Sequence, residues 1–356
     1  MKRVSVGYIY YMDLIRVIAC VLVVLVHVSA LGWNEVSVCS DKWQVMNAFD
    51  CLGILGVPLF FMISGALMLR TEGTHSVKKM LGKVLHLFIV YHIWLLFYNF
   101  VTLIREGYAF SIYNIRGRVI LPVIIGDGIY HLWFLPVLMV LYLLTPILKK
   151  AFADRKTCEY FLALYLVFGQ LIPTMLLFEF PYKYLLEDLY NRTELFMLTG
   201  YIGYFVIGHY IHSFVGIHTR KQRLLILCMV IVSYVATVTV CGLDAVRQGQ
   251  PSIILNNPLA ISDFIATTGI YILIKDSIAL RKKQKAEKQV SAVAKHTFGI
   301  YLIHPLILIL VQEIGITNYV PHPILMIPLL TAVVVATGLG VAWLLKKVPI
   351  IRRFFV

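Results

Sequence analysis

Charge is what this 356-residue chain has least of. Lys, Arg, Asp and Glu make up 14% of it and 60% is hydrophobic, whereas about a quarter of a soluble domain is charged. With a mean hydropathy of +0.83, a soluble globular enzyme is excluded. Acidic residues are scarcest, 18 against 32 basic, which leaves a net charge of +14. The basic residues recur between apolar runs instead of forming one patch, so a nucleic-acid partner is not expected. The six cysteines include no Cys-x-x-Cys and no metal-ligand spacing, so neither a zinc site nor a bound metal is expected. Cys39 and Cys51 are a candidate pair, but free thiols in apolar surroundings are the favoured reading. No span holds a His-x-x-x-His or His-Glu-x-x-His pair. No internal repeat is visible, which weighs against the commonest transporter architectures. No polar stretch is long enough for an appended soluble domain, so residues 1–356 read as one membrane domain.

Long apolar runs are abundant. Stretches of about 20 apolar residues mark membrane spans, and ten are expected: Tyr11–Leu31, Cys51–Leu69, Val84–Ile104, His131–Leu148, Cys158–Phe178, Phe196–Ser213, Leu224–Gly242, Leu255–Lys275, Val293–Gln312 and Ile324–Leu345. The expected fold class is all-α, a polytopic integral membrane protein. The first run follows Lys2 and Arg3 as a signal peptide would, but Arg16 interrupts it and no cleavage site is evident, so it reads as an uncleaved span. Of the 32 basic residues, seven fall on one side: Lys42, Arg105, Arg116, Arg118, Lys183, Arg192 and Arg247. Arg16 aside, the other 24 fall on the side of the termini, which the positive-inside rule assigns to the cytoplasm. Two connections are long. Arg105–Tyr130 contains Ile112–Ile125, expected as an interfacial or re-entrant segment. Asp276–Ala292 is basic and reads as a solvated helical extension.

The first span carries its own chemistry. Arg16 and His27 are separated by Val-Ile-Ala-Cys-Val-Leu-Val-Val-Leu-Val. A charged residue inside a span costs roughly 2.5–3.5 kcal/mol on insertion scales, so it marks function by default. Eleven steps of about 100° return to within about 20° of the start, so both side chains share a face roughly 16 Å apart. Asp13, one turn before Arg16, is a candidate ion-pair partner. The plainer alternative is an Arg16 that snorkels to the headgroups and an interfacial His27. His131 opens the fourth expected span, and His304 precedes Pro305, which breaks the helical ladder. Both fall on the His27 side. Lys79, Lys83 and His86 share one face at the start of the third span and suit a phosphate-bearing donor, although a plain positive anchor has the same look. Ser64 and Gly65 permit close helix approach, and Ser64 has no acid–base partner nearby in sequence. Asp50, Asp127, Asp188 and Glu194 lie at outer ends, as candidates to orient a histidine or hold an acceptor.

These residues carry a resemblance. Asp13-Leu-Ile-Arg16 with His27, Val57-Pro-Leu-Phe-Phe-Met-Ile-Ser-Gly65, His131-Leu-Trp133-Phe-Leu with Tyr142-Leu-Leu-Thr-Pro146, and Thr297-Phe-Gly-Ile-Tyr-Leu-Ile-His-Pro305 occur in order over nearly the whole chain. Together they resemble the integral-membrane acyltransferase 3 family, and within it the single-domain intercellular-adhesion and common-antigen acetyltransferases. The resemblance implies a bacterial enzyme of the cytoplasmic membrane, with both termini inside. It would transfer an acyl group, usually acetyl, from cytosolic acyl-CoA to a hydroxyl of a cell-surface or lipid-linked glycan. Acyl-CoA is then a co-substrate and no permanent cofactor is expected. The expected partners are acyl-CoA, the glycan and the bilayer, with a homodimer left open. Arg16, His27, His131 and His304 are the expected catalytic residues, with His27 as general base or acyl carrier. Arg16, Lys79, Lys83 and His86 are expected to hold acyl-CoA. Asp50, Asp127, Trp133 and Glu194 are expected to hold the acceptor.

One departure stands out: where many members carry Arg-x-x-Arg, this chain reads Lys78-Lys79-Met80-Leu81-Gly82-Lys83, which keeps the charge and loses the bidentate fork. The alternatives are a transporter module, since a similar module fused to a serine racemase is assigned serine uptake, and a non-catalytic envelope subunit or sensor.

Overall fold

The computed structural model describes residues 6–70, 76–128, 130–217, 219–279 and 285–349. Lys2, Arg3, Arg281 and the terminal Arg352 and Arg353 lie outside these residues. The described chain is helical throughout, with no strand among the described residues. Its first half contains α1 (Val6–Ser29), α2 (Asp41–Gly53), α3 (Gly56–Met68), α4 (Val77–Arg105), α5 (Ile112–Asn114), α6 (Leu121–Ile125) and α7 (Phe134–Ala151). Then follow α8 (Arg155–Leu164), α9 (Ile172–Leu176), α10 (Lys183–Arg192), α11 (Ile202–Phe214) and α12 (Arg220–Gln248). The last four are α13 (Ile261–Ala279), α14 (Lys285–Ala294), α15 (Thr297–Glu313) and α16 (Pro323–Leu345). Local signals set several starts. Ser40, Ser76 and Thr219 each accept a hydrogen bond from a backbone N–H three residues on, and Gln222 completes a capping box with Thr219.

Among the described residues, seven helical stretches are long and apolar enough to cross a membrane: Tyr10–Gly32, Asp41–Met68, Val77–Arg105, Ile112–Ala151, Arg155–Leu176, Arg220–Gln248 and Pro323–Leu345. An eighth arises if α14 and α15, bent by 59° at their junction, count as one span. The ten expected spans exceed this for physical reasons. The expected span Phe196–Ser213 condenses to α11, whose 13 residues reach only about 20 Å of a hydrocarbon core about 30 Å thick. The expected span Leu255–Lys275 becomes α13, which carries Asp263, Lys275 and Asp276. The segment Ile112–Ile125 is helical but broken by a wider π-type turn at Ile115–Ile120, and Ile112, Tyr113, Ile124 and Ile125 are exposed.

The bundle's apolar and polar surfaces are inverted relative to a soluble protein. Leu85, Ile89 and Leu96 of α4, Leu224, Ile231 and Val235 of α12, and Leu325 and Leu329 of α16 face outward. Asn47, Asp50, His131, Asp263, Thr267 and His304 are buried. Backbone groups in lipid must be satisfied internally and ionisable side chains must face the bundle, which produces this distribution. At the centre stands α1, packed by α2, α3, α13, α14, α15 and α16.

The closest crossing joins α3 and α11. A Cβ on Gly65 would overlap the backbone carbonyl of Phe205, and one on Gly208 would overlap that of Met62. The two helices thus meet backbone to backbone at reciprocal glycines, the geometry small residues permit. A Cβ on Gly82 of α4 meets nothing within 4 Å. Gly208→Ala should therefore destabilise the protein by about 1–3 kcal/mol or more through overpacking. Gly82→Ala should be neutral or stabilising by up to about 1 kcal/mol. Thermal unfolding in detergent checks the pair.

Candidate functional site

The first turns of α1 present Asp13 and Arg16 on one side. Arg16 Nη1 bonds Asp13 Oδ1 at 2.9 Å, and the other carboxylate oxygen accepts from Ser291 Oγ of α14 at 2.7 Å. Arg16 is thus anchored rather than trailing toward a headgroup. It lines a cavity of about 210 Å³ with Ser64, Phe134, Tyr142, Thr297 and Tyr301. The Tyr142 hydroxyl bonds Ser64 and faces Arg16. Lys83 reaches the same Tyr142, its ammonium 5.9 Å from the ring centre and 3.3 Å from Met68 Sδ. Lys79 lies exposed in the first turn of α4, and His86 is half-buried one turn beyond Lys83. The structure therefore sets Lys83 beside Tyr142, which lines the Arg16 cavity.

Eleven residues further along α1, half-buried His27 lines a second cavity of about 470 Å³ with Thr102, Arg105, Tyr130, Pro305 and Gln312. Arg105 Nε bonds Glu313 Oε1 at 2.8 Å, so the basic residue of this cavity is held by the neighbour of Gln312. The His27 ring stacks on His304 at 5.2 Å and 17°, and the His304 ring meets His131 edge-on at 5.3 Å. Tyr130 packs on the open side of His27 at 4.8 Å, and Tyr98 and Tyr301 close around His131 at 5.2 and 5.4 Å. Tyr301 also lines the first cavity. Of this cluster, His27 and Tyr130 line the second cavity and Tyr301 the first, while His131 and His304 pack against them.

Pro305 explains the orientation of His304. A proline has no N–H to give the carbonyl four residues back, which here belongs to Tyr301. His304 Nδ1 takes that carbonyl at 2.7 Å. The contact requires Nδ1 to carry the proton and leaves Nε2 with its lone pair. His304 is fully buried and His131 nearly so, at 0% and 2% exposed. His304 Nε2 and both ring nitrogens of His131 meet no hydrogen-bond partner among the described residues. Buried polar atoms left unsatisfied are costly, and their retention beside His27 points to a working site. The rings meet by faces and edges instead of converging their nitrogens. Among the described residues no group of three or more His, Cys, Asp or Glu has a geometry for a metal ion.

The carboxylates expected from sequence lie elsewhere. Asp50 accepts from Ser29 Oγ at 2.9 Å and from Asn256 Nδ2, so both its oxygens tie α2 to neighbouring segments and neither is recorded on a histidine. Asp127 is exposed, and its backbone carbonyl accepts from Asn99. Trp133 is half-exposed and packs on Tyr201 at 5.2 Å. Glu194 is exposed in a turn after α10, with a positive φ of 52°. Asp188 pairs with Arg192 one turn on. All six cysteines are free. Cys39 is exposed, while Cys51 is buried and donates toward Asn47 Oδ1 at 3.5 Å, so the candidate Cys39–Cys51 pair is not formed. Sequence reasoning left Tyr130, Tyr301, Tyr142 and Arg105 unassigned. Tyr130 precedes His131 and Tyr301 lies one turn before His304, but among 21 tyrosines such proximity carries no signal until helices from distant parts of the chain meet.

Fold and site together define a helical membrane protein whose interior holds a cation, a histidine cluster and a cavity beside each. The family model for the acyltransferase 3 domain, described as an acyltransferase domain, matches residues 9–347. The chain belongs to this family and is of the membrane acyltransferase class. No curated protein and no solved structure gives a significant match.

Pro305→Ala tests the tautomer argument. The restored N–H competes for the Tyr301 carbonyl, so His304 should lose its fixed Nδ1–H form. The imidazole ¹⁵N shifts of selectively labelled His304 should move from a single tautomer toward a mixture.

Proposed function

We propose that the protein transfers a short acyl group, most simply acetyl, from acyl-CoA to a hydroxyl of an extracytoplasmic or lipid-linked glycan. The observation that carries this reading is the pair of cavities along α1, one lined by Arg16 and the other by His27, with His304 and His131 stacked behind His27. The first cavity, about 210 Å³, is below the usual range of about 300–1,000 Å³ for a whole small-molecule ligand. It suits only the thioester end of the donor. The CoA phosphates stay outside, attracted by Lys79, Lys83 and the basic loops. The second cavity, about 470 Å³, is of a size for sugar units. Its mixture of Tyr130, Thr102, Gln312 and Arg105 with apolar side chains suits a ring that has hydroxyls and an apolar face. The 24-to-7 distribution of basic residues supports a cytoplasmic face at the Arg16 end and an outer face at the His27 end.

The chemistry follows from the groups present. Neutral His27 takes the proton of the acceptor hydroxyl as its oxygen attacks the thioester carbon. The C–S bond breaks, the ester forms, and the CoA thiolate leaves to be protonated. Arg16, about 16 Å from His27 along α1, is too far to touch the same carbonyl and instead attracts and orients the donor. The stacked His304, its tautomer held by the Tyr301 carbonyl, keeps His27 at the cavity wall.

His27→Ala in purified protein should abolish acyl transfer from labelled acetyl-CoA to a glycan acceptor, a loss of about 10²–10⁴-fold. Binding of CoA, measured by calorimetry, should be largely intact. Turnover retained by this variant refutes the assignment. Arg16→Gln should weaken donor binding or turnover by about tenfold or more, since it removes a charge paired inside the bundle.

A further inference from the structure

A second polar track lies on the opposite side of α1 from the two cavities, and the acyl-transfer chemistry does not use it. Along α13, Asp263, Thr267, Tyr271 and Lys275 recur every fourth residue, so they form one slowly turning face about 18 Å long. The first three are buried, at 2%, 0% and 0% exposed. Asp263 Oδ1 accepts from Thr237 Oγ1 at 3.4 Å, and Thr237 also bonds Ser262 Oγ at 2.9 Å. Asp263 Oδ2, Thr267 Oγ1 and the Tyr271 hydroxyl are buried and meet no hydrogen-bond partner among the described residues. Tyr271 sits edge-on to Tyr11 of α1 at 6.0 Å, with its hydroxyl toward that of Tyr11. Tyr11 in turn bonds His212 Nδ1 at 2.7 Å. His212 is half-buried near Arg70, Lys275 and His209, and the Lys275 ammonium caps the last carbonyls of α11, including Val215 at 2.8 Å. At the other end, Asp263 faces Asp50 and Cys51 of α2, Cys241 of α12 and Tyr204 of α11. Asp50 bonds Ser29, two residues past His27. From Tyr11 to Ser29 is about 27 Å along α1, close to the hydrocarbon thickness.

A carboxyl group sealed in this way, with no basic side chain facing it among the described residues, must hold a proton or a cation. The groups that follow it decide between the two. Hydroxyls and imidazole both donate and accept, which suits a proton. We infer that this file is a proton path between the two ends of the bundle, with Asp263 as the proton-binding carboxyl group and Tyr271, Tyr11 and His212 as its relay. The path requires one water between Asp263 and Thr267 and another between Thr267 and Tyr271. Each hydroxyl takes a proton on one side and gives its own on the other. His212 takes one at one ring nitrogen and releases one from the other, so no bond is changed once a proton has crossed.

The use of the path rests on the acyl-transfer reading. When donor and acceptor face opposite sides, the acceptor hydroxyl loses a proton at one end and the CoA thiolate gains one at the other. A proton path balances the two.

The test uses the full chain in proteoliposomes that enclose a pH-sensitive dye, driven by a potassium diffusion potential with valinomycin. Wild type should take up protons well above protein-free vesicles. Asp263→Asn and Tyr271→Phe should each lower that flux by about tenfold or more. Tyr271→Phe removes a single hydroxyl oxygen, so it decides the question if Asp263→Asn fails to fold. His27→Ala should conduct as wild type while losing acyl transfer, which separates failure of this inference from failure of the enzyme reading. Wild-type flux no greater than that of empty vesicles, or Tyr271→Phe conducting as wild type, overturns the proposal.

Discussion

A helix that carries Asp13, Arg16 and His27 cannot lie against lipid, where each ionisable side chain costs several kcal/mol. Every larger feature of this protein follows from the need to enclose α1. The helix is ringed by α2, α3, α13, α14, α15 and α16, and several neighbours bring a polar partner for one of its levels. Ser291 of α14 completes the Asp13–Arg16 pair. His304 of α15 stacks on His27. Asp50 of α2 takes the Ser29 hydroxyl at the far end. On the α13 side Tyr11 binds His212. Surrounding helices that must satisfy a polar core in this way cannot satisfy it uniformly, and the residual gaps are the two cavities.

The arrangement of the histidine cluster depends on a missing hydrogen-bond donor. Pro305 interrupts the α15 ladder and frees the Tyr301 carbonyl, which then fixes His304. Tyr301 spends its own hydroxyl on the backbone carbonyl of His131 at 2.7 Å, and Tyr98 spends its hydroxyl on Leu302 at 2.6 Å. The imidazoles are thereby held by aromatic faces and backbone carbonyls instead of by carboxylates. In a low-dielectric interior that arrangement avoids a buried negative charge. The tight α3–α11 crossing at Gly65 and Gly208 performs a separate task. It locks α3, whose Ser64 meets Tyr142 of α7 at the first cavity, against α11.

Much of this was legible from residue order. The Arg16–His27 spacing predicts one helix face, and the structure places the two residues at two cavities on one side of α1. His131 and His304 carry no local sign of a shared site, yet both are placed on the His27 side by span order and do join it. Span number was less legible. By length and composition α11, with 13 residues, and α13, with Asp263, Lys275 and Asp276, are not among the seven stretches that qualify as spans. The carboxylates were least legible of all. Asp50 lies at a plausible depth for a histidine partner, but its oxygens are taken by Ser29 and Asn256, the latter from a residue 206 positions away.

Sequence alone determined the solvent of this protein and the chemistry of its central helix, because hydrophobic run length and helical periodicity are local properties that a bilayer reads directly. It also determined the frame of the His304 contact, since the lost N–H of Pro305 and the carbonyl of Tyr301 are four residues apart. Only the tertiary structure decided which polar groups meet: Tyr142 with Arg16, Tyr130 with His27, Tyr11 with His212 and Tyr271. Those contacts join helices distant in the chain, and a hydroxyl acquires its role from the angle at which two helices cross, which local patterning does not encode.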